Sequence, residues 1–324
     1  MLRCLSQLLS TAALLLLSAG AGFAQGWPTR PVTFIVPFAA GGGTDAFARP
    51  LAAQLDGQLG QRVIVENRAG AGGTAGAASA AKAQADGYTF FVGATHHAIA
   101  PAIYPRLSYN ITTDFIPIGL ISRPPHVVVI NPQRLPVTSL SELVAHARAN
   151  PDKLLYGHAG VGTTHHVAGE LFNLLAGTRI RPVAYRGAGP ALLDVVAGQI
   201  DMAFDGLGSS SGQIQGGYVK ALAVTSLERN KAFPDIPTAG EAGLAGFNVS
   251  TWYGLWAVKG TPPAIVARMT SELRTALRSS AIQQSWEKSG SDVPDLTGAE
   301  FSAFLSSEIT RWGDVARQAK VKIE

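Results

Sequence analysis

Two pairs of adjacent histidines, His96-His97 and His165-His166, and the run Gly208-Ser-Ser-Ser-Gly212 carry the side chains in this sequence most able to do chemistry. A histidine pair suggests a metal ion. Neighbouring residues on one helix or strand point in different directions, so each pair should supply one ligand at most. No Cys or carboxylate cluster nearby completes a set. No metal is therefore expected, and the histidines read as hydrogen-bonding or packing groups. The run 208–212 fits G-x-S-x-G with Ser210 central, which in a hydrolase marks a nucleophile on a sharp strand–helix turn. That chemistry needs a histidine later in the chain, and the last one is His166. The run reads instead as a structural glycine–serine loop, with a secreted serine hydrolase or esterase as the competing reading.

A second chemistry is anion binding. Residues 32–36, Val-Thr-Phe-Ile-Val, suit a buried strand, and Pro37 ends it. Phe38 to Gly43 is a small, glycine-rich loop, and Thr44 and Asp45 are N-cap types for the helix beyond. Strand, glycine loop and helix start together place free N–H groups and the positive end of a helix dipole at one point. The plain alternative is a tight βα turn. Residues 160–166 repeat the arrangement, Gly-Val-Gly-Thr-Thr-His-His. A third glycine loop, 67–76, has the spacing G-x-G-G-x-x-G and no acidic residue after a following strand, so it misses the dinucleotide fingerprint.

These loops need a scaffold, and the order of elements supplies one. Strands are expected at 62–66, 88–92, 115–122, 126–131, 154–157, 181–185, 200–204, 220–225 and 247–258. Helices are expected at 47–59, 75–85, 139–150, 189–196, 263–277, from about 281, and 298–318. Pro50 should kink the first turns of its helix. Residues 93–98, which contain His96 and His97, read as a loop at a strand's carboxyl end. Strands alternating with helices argue for parallel, doubly wound sheets, whose ligands sit beyond the carboxyl ends of the strands. Trp252, Tyr253 and Trp256 read as core packing rather than a ligand box.

Residues 1–24 read as an export leader: Arg3, an apolar stretch from Leu5 to Ala21, and small residues at Gly22 and Ala24. Cys4, the only cysteine, falls within it, so a mature chain starting at Gln25 has no thiol chemistry. The formal charge is +4, and no Lys/Arg run accompanies it, so a nucleic-acid partner is not expected. About 300 residues remain, enough for two cores.

The sequence resembles the receptor family of tripartite tricarboxylate transporters, the Bug or TctC-type periplasmic solute receptors. The matching runs span essentially the whole mature chain. They are Pro31 to Phe38 with Gly41 to Asp45, Val63 to Arg68 with Gly70 to Gly73, Asp86-Gly-Tyr88, Asp114 to Gly119, Gly160 to Thr163 with His166, Tyr185-Arg-Gly187, Leu222 to Ser226, Pro237-Thr238 with Glu241 to Gly243, and Trp252-Tyr-Gly254. The resemblance implies a two-lobed type II periplasmic-binding-protein fold, each lobe a doubly wound, mostly parallel α/β sheet, with the ligand cleft between. Lobe 1 would comprise 25–124 and 228–324, and lobe 2 residues 125–227. The pocket positions it implies are Phe38, Ala39, Thr44, Asp45, Thr95, His96, His97, Gly162, Thr163, Thr164, His166, Tyr185 and Asp205. For Asp45 an N-cap role competes with ligand contact. The implied function is non-catalytic capture of a small organic carboxylate in the periplasm and delivery to membrane permease subunits, by a monomer without cofactor. Presentation of the ligand to a signalling protein is an alternative. Phe38, His96-His97 and Tyr185 would suit an aromatic mono- or dicarboxylate; aliphatic dicarboxylates or amino acids fit the same loops.

Overall fold

The computed structural model describes residues 26–318. The expected leader, with Cys4, lies outside them. Strands β1 (Val32–Val36), β2 (Val63–Asn67), β3 (Thr89–Ala94), β4 (Phe115–Ser122) and β10 (Tyr253–Val258) form one sheet, in the order β2-β1-β3-β10-β4. Strands β5 (His126–Ile130), β6 (Leu155–His158), β7 (Arg181–Ala184), β8 (Met202–Gly206) and β9 (Lys220–Val224) form the other, in the order β7-β6-β8-β5-β9. The two sheets are built alike. In each, three strands run parallel, and the strand that has just arrived from the other lobe, β10 or β5, is inserted antiparallel between them and the last strand. Every residue of β5, β8 and β10 is buried, as expected of sheets covered by helices on both faces.

The helices are α1 (Gly43–Leu59), α2 (Thr74–Ala81), α3 (His96–Ile103), α4 (Leu140–Ala149), α5 (Thr164–Ala176), α6 (Ala188–Val196), α7 (Leu207–Gln215), α8 (Pro263–Arg278), α9 (Ser280–Lys288) and α10 (Gly298–Gln318). Ser139 caps α4 by accepting from Glu142 N, as its S-x-x-E pattern predicts. Helices α8 and α10 return to pack on β4 of the first sheet.

Two short segments cross between the lobes side by side. Thr251 N donates to Pro124 O at 3.2 Å and His126 N to Val249 O at 3.3 Å. This paired crossing is the place where a two-lobed molecule can bend.

Three sequence expectations change here. Residues 93–98 are not a loop: β3 runs to Ala94 and α3 begins at His96. Residues 208–212 are not a loop either but lie in α7, because the chain passes from β8 directly into a helix at Gly206. The strand expected from 247 begins only at Tyr253, since residues 249–252 form the crossing. The helix expected at 47–59 forms with Pro50 inside it: α1 starts earlier, at Gly43, and runs to Leu59 with Leu51, Leu55 and Leu59 buried. Those buried contacts outweigh the one backbone hydrogen bond that proline removes.

Candidate functional site

Between the sheets lies a small cleft lined by Phe38, Gly42, Gly43, Thr44, Ala94, His96, Ala159, Thr163, Thr164, His165, Ala188, Thr251 and Tyr253. Both lobes contribute. The cleft encloses about 320 Å³ of non-atom space, its mouth included, but the centre of a water molecule fits in only about 20 Å³ of it. The lobes are therefore closed. Ala39 N donates to Arg186 O at 3.0 Å across the seam, and the Tyr104 hydroxyl lies 2.9 Å from Val161 O. Phe38 packs against Ala159 and Ala188 of the opposite lobe.

Four helices start at this cleft: α1 at Gly43 and α3 at His96 from one side, α5 at Thr164 and α6 at Ala188 from the other. The sequence suggests two such starts. Each directs unpaired N–H groups and a partial positive charge toward its N-terminal end. Among the described residues no Lys or Arg lines the cleft. The arrangement is chemically suited to a small anion held by backbone N–H groups and hydroxyls. Gly42, the N-cap of α1, has no side chain to occupy those donors. Gly43 must be glycine because a Cβ there would overlap the Tyr253 hydroxyl. Gly162 has φ +79°, and the turn around it lets Thr163 cap α5 by accepting from His166 N.

Of the thirteen residues singled out, Phe38, Thr44, His96, Thr163 and Thr164 line the cleft. Six others stand behind it. Asp45 shapes the first loop: its carboxylate accepts from Gly41 N, Asn67 Nδ2 and two nitrogens of Arg49, at 2.8–3.0 Å. Burial pushes its pKa up, but the bonds from Arg49, Gly41 and Asn67 outweigh that and hold it below the usual carboxylate value. Thr95 accepts from Trp252 N at 2.8 Å. His97 is fully buried and bonds His96 and Tyr109. Gly162 N donates to His166 Nδ1 at 3.4 Å, and the His166 ring lies 4.6 Å from that of His158. Asp205 is buried, its two oxygens bonded to His165, Ser209 and Ser210. Two do not line the cleft at all: Ala39 bonds the opposite backbone, and the Tyr185 hydroxyl donates to Asp194 at 2.6 Å.

The cleft residues with polar side chains not singled out as pocket positions from sequence are His165, Thr251 and Tyr253. Of the pair 165–166, His165 faces the cleft, a choice one helical step of about 100° decides. Tyr253 stacks on Phe47 at 4.9 Å and reaches the cleft, whereas Trp252 and Trp256 are core. The sequence argument that adjacent histidines diverge does not hold at the start of α3. His96 Nε2 and His97 Nε2 are 2.7 Å apart. Among the described residues no group of three or more His, Cys, Asp or Glu is close enough to hold a metal ion. Ser210 is fully buried within α7 and donates to Asp205 rather than to a histidine, so it is not placed as a nucleophile on an elbow.

Six of the chain's seven histidines gather at the cleft and its walls, in ring contact pairwise: His96 with His97, His126 with His165, and His158 with His166. Burial holds His96 far below the ordinary imidazole value, helped by His97 and His165. Burial likewise lowers His97, His126 and His158 to about 3.

Two α/β lobes on paired crossings, with helix N-termini converging from both sides on the seam, define a two-lobed solute-binding protein. The model of the tripartite tricarboxylate transporter family receptor matches residues 47–321, and the chain belongs to that family. Solved structures agree over the whole fold. The periplasmic binding protein BugD is 35% identical with a TM-score of 0.88, covering 92% of this chain and 100% of its own. Rpa4515 of R. palustris, solved with adipate, gives the same four figures. MatC of Rhodopseudomonas palustris, solved with malate, is 37% identical with a TM-score of 0.84, covering 89% and 99%.

Proposed function

We propose that this chain is a non-catalytic periplasmic receptor that closes over a small organic carboxylate and delivers it to the membrane subunits of a tripartite transporter. One observation carries the reading: four helix N-termini from two lobes meet at a cleft with no Lys or Arg among its described lining. A carboxylate there takes hydrogen bonds from backbone N–H groups and hydroxyls without a buried counter-cation. The adipate and malate in the two neighbouring structures support this ligand class. The moving bodies are residues 26–124 with 252–318, and residues 125–250: the segment 228–248, given to lobe 1 from the sequence, packs on lobe 2 through Phe233, Ile236 and Phe247 before the chain crosses back beside residues 124–126. Contact falls to Phe38, Thr44, His96, Thr163 and Thr164, joined by His165, Thr251 and Tyr253. Asp45, Thr95, His97, Gly162, His166 and Asp205 hold that set in place.

The test is a thermal-shift screen against aliphatic and aromatic mono-, di- and tricarboxylates and acidic amino acids, with mass spectrometry of the acid after incubation. Ligand at a hundred times its dissociation constant should stabilise the protein by about 2.7 kcal/mol and be recovered intact. Stabilisation by no acid, or chemical conversion of one, would overturn the reading.

A further inference from the structure

The third glycine loop, 67–76, does not line the cleft, yet it touches both lobes. Gly70, Ala71, Gly72 and Gly73 all have positive φ, at +155°, +46°, +60° and +92°. Such a run is open to glycine and costly to other residues. Ala71 is one of only two non-glycine residues among the described ones with positive φ. The glycines of the G-x-G-G-x-x-G spacing serve close approach rather than a dinucleotide. A Cβ on Gly76 would come within 2.6 Å of Pro37 Cα, at the root of the first glycine loop. One on Gly73 would come within 2.7 Å of His96 Nε2 and 2.8 Å of Phe38 Cζ, both in cleft-lining residues. One on Gly72 would come within 2.6 Å of Val161 O, in the opposite lobe.

Across the seam, backbone meets backbone. Gly160 has φ +125°, and a Cβ there would lie 2.9 Å from Gly72 Cα. Gly160 O accepts from Thr163 N at 3.2 Å and from Thr163 Oγ1 at 2.7 Å. Thr163 lines the cleft and caps α5. The turn 70–73 therefore rests on the residue that holds Thr163. Tyr104, at the end of α3, adds a polar contact. Its hydroxyl lies 3.0 Å from Ala71 O and 2.9 Å from Val161 O. A hydroxyl has one hydrogen and donates to one carbonyl at a time. Ala71 O belongs to the same lobe, so the hydroxyl has an acceptor while the lobes are apart and is in place when Val161 O arrives.

We infer that the turn 70–73 is the latch of the closed state. It packs on Phe38 and His96 in one wall of the cleft, and through Gly72 it bears on Gly160 and so on Thr163 in the other. This rests on the carboxylate reading above and deepens it by naming what governs release. Ligand enters while the lobes are apart, before Gly72 and Gly160 meet. The latch therefore sets how fast the ligand leaves and not how fast it arrives.

The experiment is stopped-flow binding and displacement on wild type, Gly72→Ala, Gly160→Ala and Gly60→Ala. The probes are malate, adipate and the other acids of the thermal-shift screen. Gly60 has φ +65° and open space around it, so alanine there carries a backbone cost like that at Gly72 without meeting the opposite lobe. Gly72→Ala should bind about tenfold or more weakly, with the loss in the dissociation rate and the association rate within about threefold of wild type. Gly160→Ala, which crowds the same contact from the other lobe, should show the same pattern. Gly60→Ala should match wild type in both rates. Circular dichroism checks that each variant folds, and either seam variant suffices for the test. Release unchanged in the seam variants, a loss that Gly60→Ala shares, or a loss confined to association overturns the inference and leaves the receptor reading standing. Failure of every acid to bind the wild-type protein takes both down.

Discussion

The buried histidines should make the ligand-free protein acid-labile, and His126 isolates the effect. It is fully buried where the chain crosses into the second lobe, and its ring has at most a weak hydrogen bond, to the backbone of Phe204. Burial, with a contribution from His165, lowers its pKa from 6.5 to about 3. The folded value lies below the unfolded one, so the unfolded chain takes up the proton first. Stability contributed by the neutral ring is full above about pH 6.5 and falls continuously as pH drops toward 3. Between pH 7 and pH 5 the loss works out at about 2 kcal/mol for this one group. His97 and His158, also at about 3, add similar amounts. Together they make about 6 kcal/mol, comparable with the whole stability of many proteins, ~5–15 kcal/mol. His126→Phe removes the titrating group while keeping a ring against His165, 5.2 Å away between centroids. Urea denaturation at pH 7 and pH 5, with the slope of free energy on urea held common, measures the difference. The variant should be no less stable than wild type at pH 7 and should lose about 2 kcal/mol less on going to pH 5. An identical loss in both proteins would mean that His126 is already protonated in the folded state, and would refute the reasoning.

Two further outcomes concern closure. A Cβ on Gly189, in the first turn of α6, would collide with Ala40 O and come within 2.8 Å of Gly41 C and 2.9 Å of Gly42 N across the seam. Gly189→Ala should leave the melting temperature of the free protein unchanged, weaken binding of any acid by about tenfold or more, and enlarge the radius of gyration in small-angle scattering. Unaltered affinity would show that ligand does not need this degree of closure. The Tyr104 hydroxyl lies 3.0 Å from Ala71 O in one lobe and 2.9 Å from Val161 O in the other. Tyr104→Phe should remove about 1 kcal/mol from the closed state, read as a roughly fivefold faster ligand release in stopped-flow displacement.

Much of this molecule was legible residue by residue. Runs such as Phe34-Ile-Val36 and Val127-Val-Val-Ile130 announce strands buried on both faces, and those strands set two sheets of one plan. The glycine loops at 38–43 and 160–162 announce helix starts that leave their N–H groups free, and both do line or brace the cleft. Side-chain direction was less legible. Tyr185 stands near the seam in sequence logic, yet its hydroxyl is bonded to Asp194. Asp205 gave no sign of a helix beside it because Gly206-Leu-Gly-Ser is poor helix sequence, and α7 forms there only because β8 delivers Leu207 into the second core.

The sequence by itself determined the elements, their order, the family and the places where helix dipoles would be left open, because these follow from periodicity, glycine and capping patterns carried within a few neighbouring residues. The tertiary structure alone decided that four of those helix ends meet, that His165 rather than His166 faces the cleft, and that Asp205 and Tyr109 stand against the histidines of its two walls. Those facts depend on groups 12 to 40 residues apart being brought within hydrogen-bonding distance, and no local pattern encodes such meetings.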